Sequence, residues 1–206
     1  REFHVRFCEG GGVQFPSATR LVVMCHTKAA VEEARDRVGA VLTRLGLELH
    51  PEKTRVVDLS WGREGFDFLG CHLRKRLSGP IWERTRRRVY FLQRGPSQRA
   101  MARVRARVRA LTPRSRCHSD LRAVIAEVNP VLRGWAQYFR TGNAARHFNV
   151  MDRFVERRLR TLRLQRAGSR LVAGRAEEWQ RPFFEALGLI RLRGMSRYPG
   201  NAHATT

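Results

Sequence analysis

The sequence predicts an α+β chain: a small sheet with one helix, followed by a longer helical region. Three observations carry this reading. A β-branched run, Leu21 to Cys25 (LVVMC), precedes a segment whose apolar residues recur every three or four positions. Short apolar pieces separated by turn residues follow, up to about residue 76. Beyond them the apolar pattern is helical as far as about residue 166.

Residues 1–20 read as an irregular lead-in, because Gly10, Gly11 and Gly12 are followed by Pro16 and Ser17 with little periodicity. Leu21 to Cys25 suits a buried strand, and Thr27 is placed to cap the helix behind it. In that helix Val31, Ala34, Val38, Val41, Leu42 and Leu45 form the apolar face, and Gly46 stops it. Leu47 to Leu49, Thr54 to Leu59 and Gly65 to Arg74 are strand-like pieces separated by Pro51 and the Trp61-Gly62 turn, which closes a partial α+β unit over 21–76.

A helical region over 77–166 follows. Met101, Val104, Val108 and Leu111 make one seam, ended by Pro113. Leu121, Val124, Ile125 and Val128 begin a helix that Pro130 would interrupt. The sequence therefore predicts two helices meeting there, with Asn129 as N-cap, Pro130 in the first turn and Gly142 as the stop. Phe148, Met151, Val155, Leu159 and Leu162 define a last helix over about 146–166, with Arg153, Arg157 and Arg160 on one basic stripe and Gly168 behind it. Residues 167–206 read as a shorter, glycine-punctuated extension.

Charge narrows the function. The 206 residues carry 41 Lys and Arg against 18 Asp and Glu, a net charge of +23, so the isolated chain repels itself and gains from a polyanionic partner. Residues 1–71 hold ten basic and ten acidic side chains, which places the whole excess in 72–206. All but three of the cations (Lys28, Lys53 and Lys75) are arginines, whose planar donor forks fit phosphate, although a GC-rich genome gives the same bias. The four cysteines lie far apart without a CxxC pair, and the seven histidines show no HxxxH or HxH spacing, so neither a zinc nor a redox site is expected. There is no phosphate loop of the GxxxxGK[ST] type and no Ser-His-Asp arrangement. Without an apolar run of membrane length or a signal-like N-terminal pattern, the expectation is a cytoplasmic protein with no membrane partner.

The candidate contacts follow from residue type and position. Lys53, in the Pro51-Glu52-Lys53-Thr54 turn, is placed either to reach a phosphate or to pair with Glu52. Gly70, at the end of Phe66-Asp67-Phe68-Leu69-Gly70, allows close backbone approach by a ligand, while Phe66 and Phe68 read as core. Arg74, Lys75, Arg76, Arg84, Arg86, Arg87 and Arg88 concentrate seven cations against Glu83 alone, which favours polyphosphate contact. Trp135 and Phe139, four residues apart, read as core. Arg133 and Arg140 are phosphate candidates, and Tyr138 points away from the core to stack or bond to RNA.

Several of these blocks, taken in order, resemble group II intron reverse transcriptases. LGLELHPEKT (Leu45 to Thr54) and FDFLG (Phe66 to Gly70) look like two consecutive palm blocks. EVNPVLRGWAQYFRTG (Glu127 to Gly142) and FNVMDRFVERRLR (Phe148 to Arg160) resemble the thumb or maturase X segment, and Leu187 to Gly194 is similar to a distal segment of some members. The resemblance implies the end of a reverse-transcriptase palm followed by a helical thumb and maturase region. Complete members polymerise with two Mg²⁺ ions held by aspartates, because hard cations take oxygen ligands. Here the Tyr-Ala-Asp-Asp block that should precede LVVMC is replaced by VRFCEGGGVQFPSATR, and Glu9 is its only carboxylate. The other metal-binding aspartate would lie N-terminal to this chain. No catalytic or metal-binding residue is therefore assigned, no cofactor is expected in this chain, and it is not expected to polymerise by itself.

The expected partner is structured group II intron RNA or an RNA–DNA duplex, clamped by arginine-rich helices to assist splicing. Two alternatives stand beside this: a split RNA-directed DNA polymerase completed in trans by another chain, and a helical protein-interaction module.

Overall fold

The computed structural model describes residues 3–8, 20–51, 54–168 and 178–197. The chain is α+β and divides into two compact units, residues 1–93 and 94–206.

In the first unit β1 (Phe3–Cys8) is the middle strand of a three-stranded sheet, flanked by β2 (Arg20–Cys25) and β3 (Arg55–Asp58). Both pairings are antiparallel, with Phe3 opposite Cys25 on one side and Asp58 on the other. This corrects the expectation of an irregular lead-in for residues 3–8. The alternation Phe3-His4-Val5-Arg6-Phe7 carries the strand signal, and the glycine run behind it obscures that signal. The rest of the expected lead-in, 9–19, lies outside the described residues.

Helix α1 (Lys28–Arg44) starts where Thr27 accepts the Ala30 N–H on its hydroxyl at 3.1 Å. The helix packs on β1 and β2, with Val31 fully buried among Val23, Cys25, Val38 and Leu49. Alternation along β2 sends Val22 into a different cluster, formed around Val57, Leu59 and Phe66. The expected burial of the LVVMC run is only partly met: Val22 and Val23 pack into clusters on opposite faces, while Leu21 is 43% and Met24 68% exposed.

The expected strand-like piece at Leu47 to Leu49 forms no strand beyond an isolated bridge at Leu49. The piece at Gly65 to Arg74 is a hairpin. Strands β4 (Gly65–Phe68) and β5 (Cys71–Leu77) are joined by Leu69 and Gly70, at φ 47° and 76°. Positive φ at both central residues is the two-residue hairpin geometry that follows strand twist. A second sheet has the order β4-β5-β6, with β6 spanning Tyr90–Pro96. A short helix, α2 (Gly79–Thr85), lies between β5 and β6 in sequence, so the chain is not helical throughout beyond residue 76.

The second unit is built on α3 (Gln98–Leu111), α4 (Leu121–Phe139) and α5 (Ala145–Ala167), with the short α6 (Arg181–Ala186) near its end. Ser97 caps α3 by accepting the Ala100 N–H, and Asp120 caps α4 by accepting that of Arg122. Val108, Val128, Leu132, Ala136, Phe148, Met151, Leu159, Phe184 and Leu192 are all at most 1% exposed and form its core. Gly142 lies in the α4–α5 turn, where a Cβ would stand 2.5 Å from the Arg94 carbonyl oxygen. Across that contact the Asn143 N–H donates to the same carbonyl at 2.6 Å.

Helix α4 is continuous through Pro130, which corrects the expectation of two helices. Proline removes the hydrogen bond to the carbonyl of Ala126, but both residues lie on the exposed face, where water replaces that bond. Nor does Asn129 cap a helix. Its side-chain amide donates to the Gly188 carbonyl at 2.9 Å and accepts the Ile190 N–H at 3.1 Å, tying the end of the chain to the middle of α4.

Candidate nucleic-acid interface

In the first unit the basic residues sit on β5 and around α2. Arg74 and Arg76 are exposed on one face of β5 and Lys75 is half-buried on the other, as strand alternation requires. The Arg74 Nε donates to Gln93 Oε1 at 3.1 Å, which braces that guanidinium against β6. At the end of α2, the guanidinium groups of Arg86 and Arg88 lie 5.8 and 5.9 Å from the centre of the Trp82 ring. An aromatic face holds a cation while leaving its N–H edge open to an anion. Arg84 and Arg87 are exposed beside them. Gly70 belongs to the hairpin turn, where its φ of 76° favours glycine. Lys53 lies outside the described residues.

In the second unit the cations divide into two groups. Some arginines are used internally. Arg116 makes a two-pronged pair with Glu127 at 2.8 and 2.7 Å, which holds the Glu127 carboxyl below the usual carboxylate range. Arg158 donates to the hydroxyl of Thr112 at 3.1 Å and also to its carbonyl. Arg105 and Arg109 stack on Phe154, and Arg163 on Trp179 and Phe183.

The other group is open. Arg153 and Arg157 are exposed and Arg160 half-buried, on the face of α5 opposite Met151, Val155 and Leu162. Among the described residues none of the three is within ion-pair distance of a carboxylate. Arg133 is exposed on α4, and Arg140 is half-buried at its end. Tyr138 is 55% exposed, with its ring edge-on to Phe139 at 4.8 Å. Trp135 is half-buried and packs 5.4 Å from both Phe139 and Phe148, a structural position.

Sequence reasoning passed over Arg146. It is exposed and lies seven residues before Arg153, so it extends the same stripe by two turns; that spacing was the available signal. His147 beside it is half-buried, its Nδ1 has no hydrogen-bond partner among the described residues, and a Cβ on Gly95 would touch its ring at 3.4 Å. Burial, then the charges of Arg146 and Arg105, push its pKa below the ordinary histidine value.

Among the described residues no three His, Cys, Asp or Glu side chains come together to hold a metal ion. Nor is any described helix long and apolar enough to cross a membrane. The open arginines present guanidinium groups at helical spacing on the surface of α5. No curated protein sequence matches the chain. Residues 101–170, which run from within α3 to just past α5, match the family model of the group II intron, maturase-specific domain.

Proposed function

We propose that this chain binds group II intron RNA through its second unit and assists splicing of that RNA as a maturase. The observation that carries the reading is the stripe of Arg153, Arg157 and Arg160 on α5, which has no carboxylate partner among the described residues and lies within the segment that matches the maturase-specific domain. A-form RNA exposes phosphates and 2′-hydroxyls rather than a readable base code, so arginines fixed on packed helices select shape. Binding the splicing-competent RNA conformation more tightly than its alternatives raises the population of that conformation.

On this reading the first unit is the remnant of a reverse-transcriptase palm serving as scaffold, and its cations on β5 and after α2 contribute further phosphate contacts. The partner is structured intron RNA in the cytoplasm or an RNA–DNA duplex of similar A-like geometry. Binding needs no cofactor in this chain. The test is crosslinking of the chain to RNA in its native cell, with sequencing of the recovered RNA. Enrichment of group II intron sequence supports the reading. Recovery that merely follows transcript abundance overturns it.

A further inference from the structure

Asp152 precedes Arg153 on α5 but faces the end of the chain. Its carboxylate accepts the backbone N–H groups of Leu192 at 3.1 Å and Arg193 at 3.0 Å, and an Nη2 hydrogen of Arg181 at 3.1 Å. Arg181 is committed further, through Nε to Glu185 Oε1 at 2.8 Å and through Nη2 to the Ile190 carbonyl at 3.0 Å. Its Nη1 is buried and has no hydrogen-bond partner among the described residues.

These bonds fold the segment carrying Arg191 and Arg193 against α5 and leave a cleft of about 250 Å³. Arg153, Arg181, Arg191 and Arg193 line it, with Asn149 and Glu156 on the α5 side. Asp152 spends its charge on three donors, and Arg191 lies 4.0 Å from Glu185. Glu156 is then the one lining carboxylate without such a commitment. The guanidinium groups of Arg153 and Arg193 remain for a ligand, and the buried Nη1 of Arg181 lacks an acceptor among the described residues. A buried N–H without an acceptor is a penalty that an incoming oxygen removes.

We infer that this cleft seats a single phosphodiester group of the bound RNA, held by Arg153 and Arg193, with the positive charge of Arg181 beside it. The inference rests on the RNA-binding reading and adds a fixed anchoring point to the stripe. Three of the four arginines, Arg181, Arg191 and Arg193, lie beyond the matched residues 101–170.

The test uses the whole chain and Arg193→Gln. This change leaves the bond from the backbone of residue 193 to Asp152 in place. Two readouts are taken: the slope of log K against log salt for a structured intron RNA, and the rise in unfolding temperature when chloride is replaced by inorganic phosphate at constant ionic strength. The expected result is a slope flatter by about 0.7–0.9, one contact, together with loss of most of the phosphate-specific rise. If Arg193→Gln lowers the unfolding temperature in chloride, Arg153→Gln replaces it with the same expectations.

An unchanged slope in a variant that still binds RNA as the parent does overturns the seat and leaves the RNA-binding reading intact. A lost phosphate effect with an unchanged slope means the cleft takes free anions, which also overturns the phosphodiester assignment. Failure of the parent chain to bind RNA overturns the RNA-binding reading and this inference with it.

Discussion

Asp152 and Arg181 form a buried ion pair, 3.1 Å between Oδ1 and Nη2, with side chains 9% and 15% exposed. The same carboxylate holds the backbone of Leu192 and Arg193, so one side chain on α5 fixes the segment that follows α6. Removing one member of a buried pair leaves the other charged and uncompensated, a loss of about 3–5 kcal/mol. Asp152→Ala should therefore destabilise the chain by about that amount in urea unfolding followed by circular dichroism. Asp152→Asn, which keeps an acceptor, should cost less. A loss below about 0.5 kcal/mol for the alanine variant would show that the pair is not structural.

The distribution of the core yields a second expectation. One described cluster of the first unit is centred on Val31 alone and the other on Val57, Leu59 and Phe66, whereas buried residues run from Met101 to Leu192 in the second. Hydrophobic stabilisation follows buried apolar area. A fragment of residues 94–206 should unfold cooperatively by itself and keep most of the RNA affinity. A fragment of 1–93 should unfold at lower denaturant with a broader transition. Non-cooperative melting of 94–206 would contradict this division.

His147 sets a pH dependence. Burial and the neighbouring Arg146 and Arg105 disfavour its protonated form in the folded chain. The unfolded state then binds more protons below its ordinary pKa of about 6.5, and stability falls as pH drops below that value. Between pH 7.5 and 5.5 the urea midpoint of the parent should decline more than that of His147→Gln. Parallel declines would place the acid sensitivity at other groups.

Local patterns made part of this molecule legible in advance. The Thr27 cap, the Met101-Val104-Val108 seam and the buried face of α5 each depend on residues within a few turns, which periodicity reads directly. Strand β1 escaped because its identity depends on β2 and β3, the latter some fifty residues on. The Asn129-Pro130 pair misled for a related reason. The asparagine is committed to Gly188 and Ile190, 59 and 61 residues away, and the missing proline hydrogen bond falls where water supplies it.

The candidate interface divides in the same way. Helical spacing gave the shared face of Arg153, Arg157 and Arg160. Which arginines are consumed internally was hidden, since Arg116, Arg158 and Arg181 find partners 11, 46 and 29 residues distant.

That division makes the clamp testable. Arg153, Arg157 and Arg160 share one face of α5, opposite the residues that hold the helix to its neighbours, and none is paired with a carboxylate among the described residues. Replacing all three by glutamine keeps helix propensity nearly constant and leaves the buried face untouched. If each arginine neutralises one phosphate, each loss removes one released counterion. The slope of log K against log salt then flattens by about 0.7–0.9 per residue, or roughly 2 to 3 in total. The unfolding temperature should stay within a few degrees of the parent, because surface cations with no carboxylate partner among the described residues contribute little to stability and their mutual repulsion is relieved. An Arg116→Gln control should do the reverse, lowering stability through loss of the Glu127 pair while leaving the salt slope nearly unchanged. A triple variant with unaltered salt dependence would remove α5 from the interface and move the RNA contacts to the cations between Arg84 and Arg109.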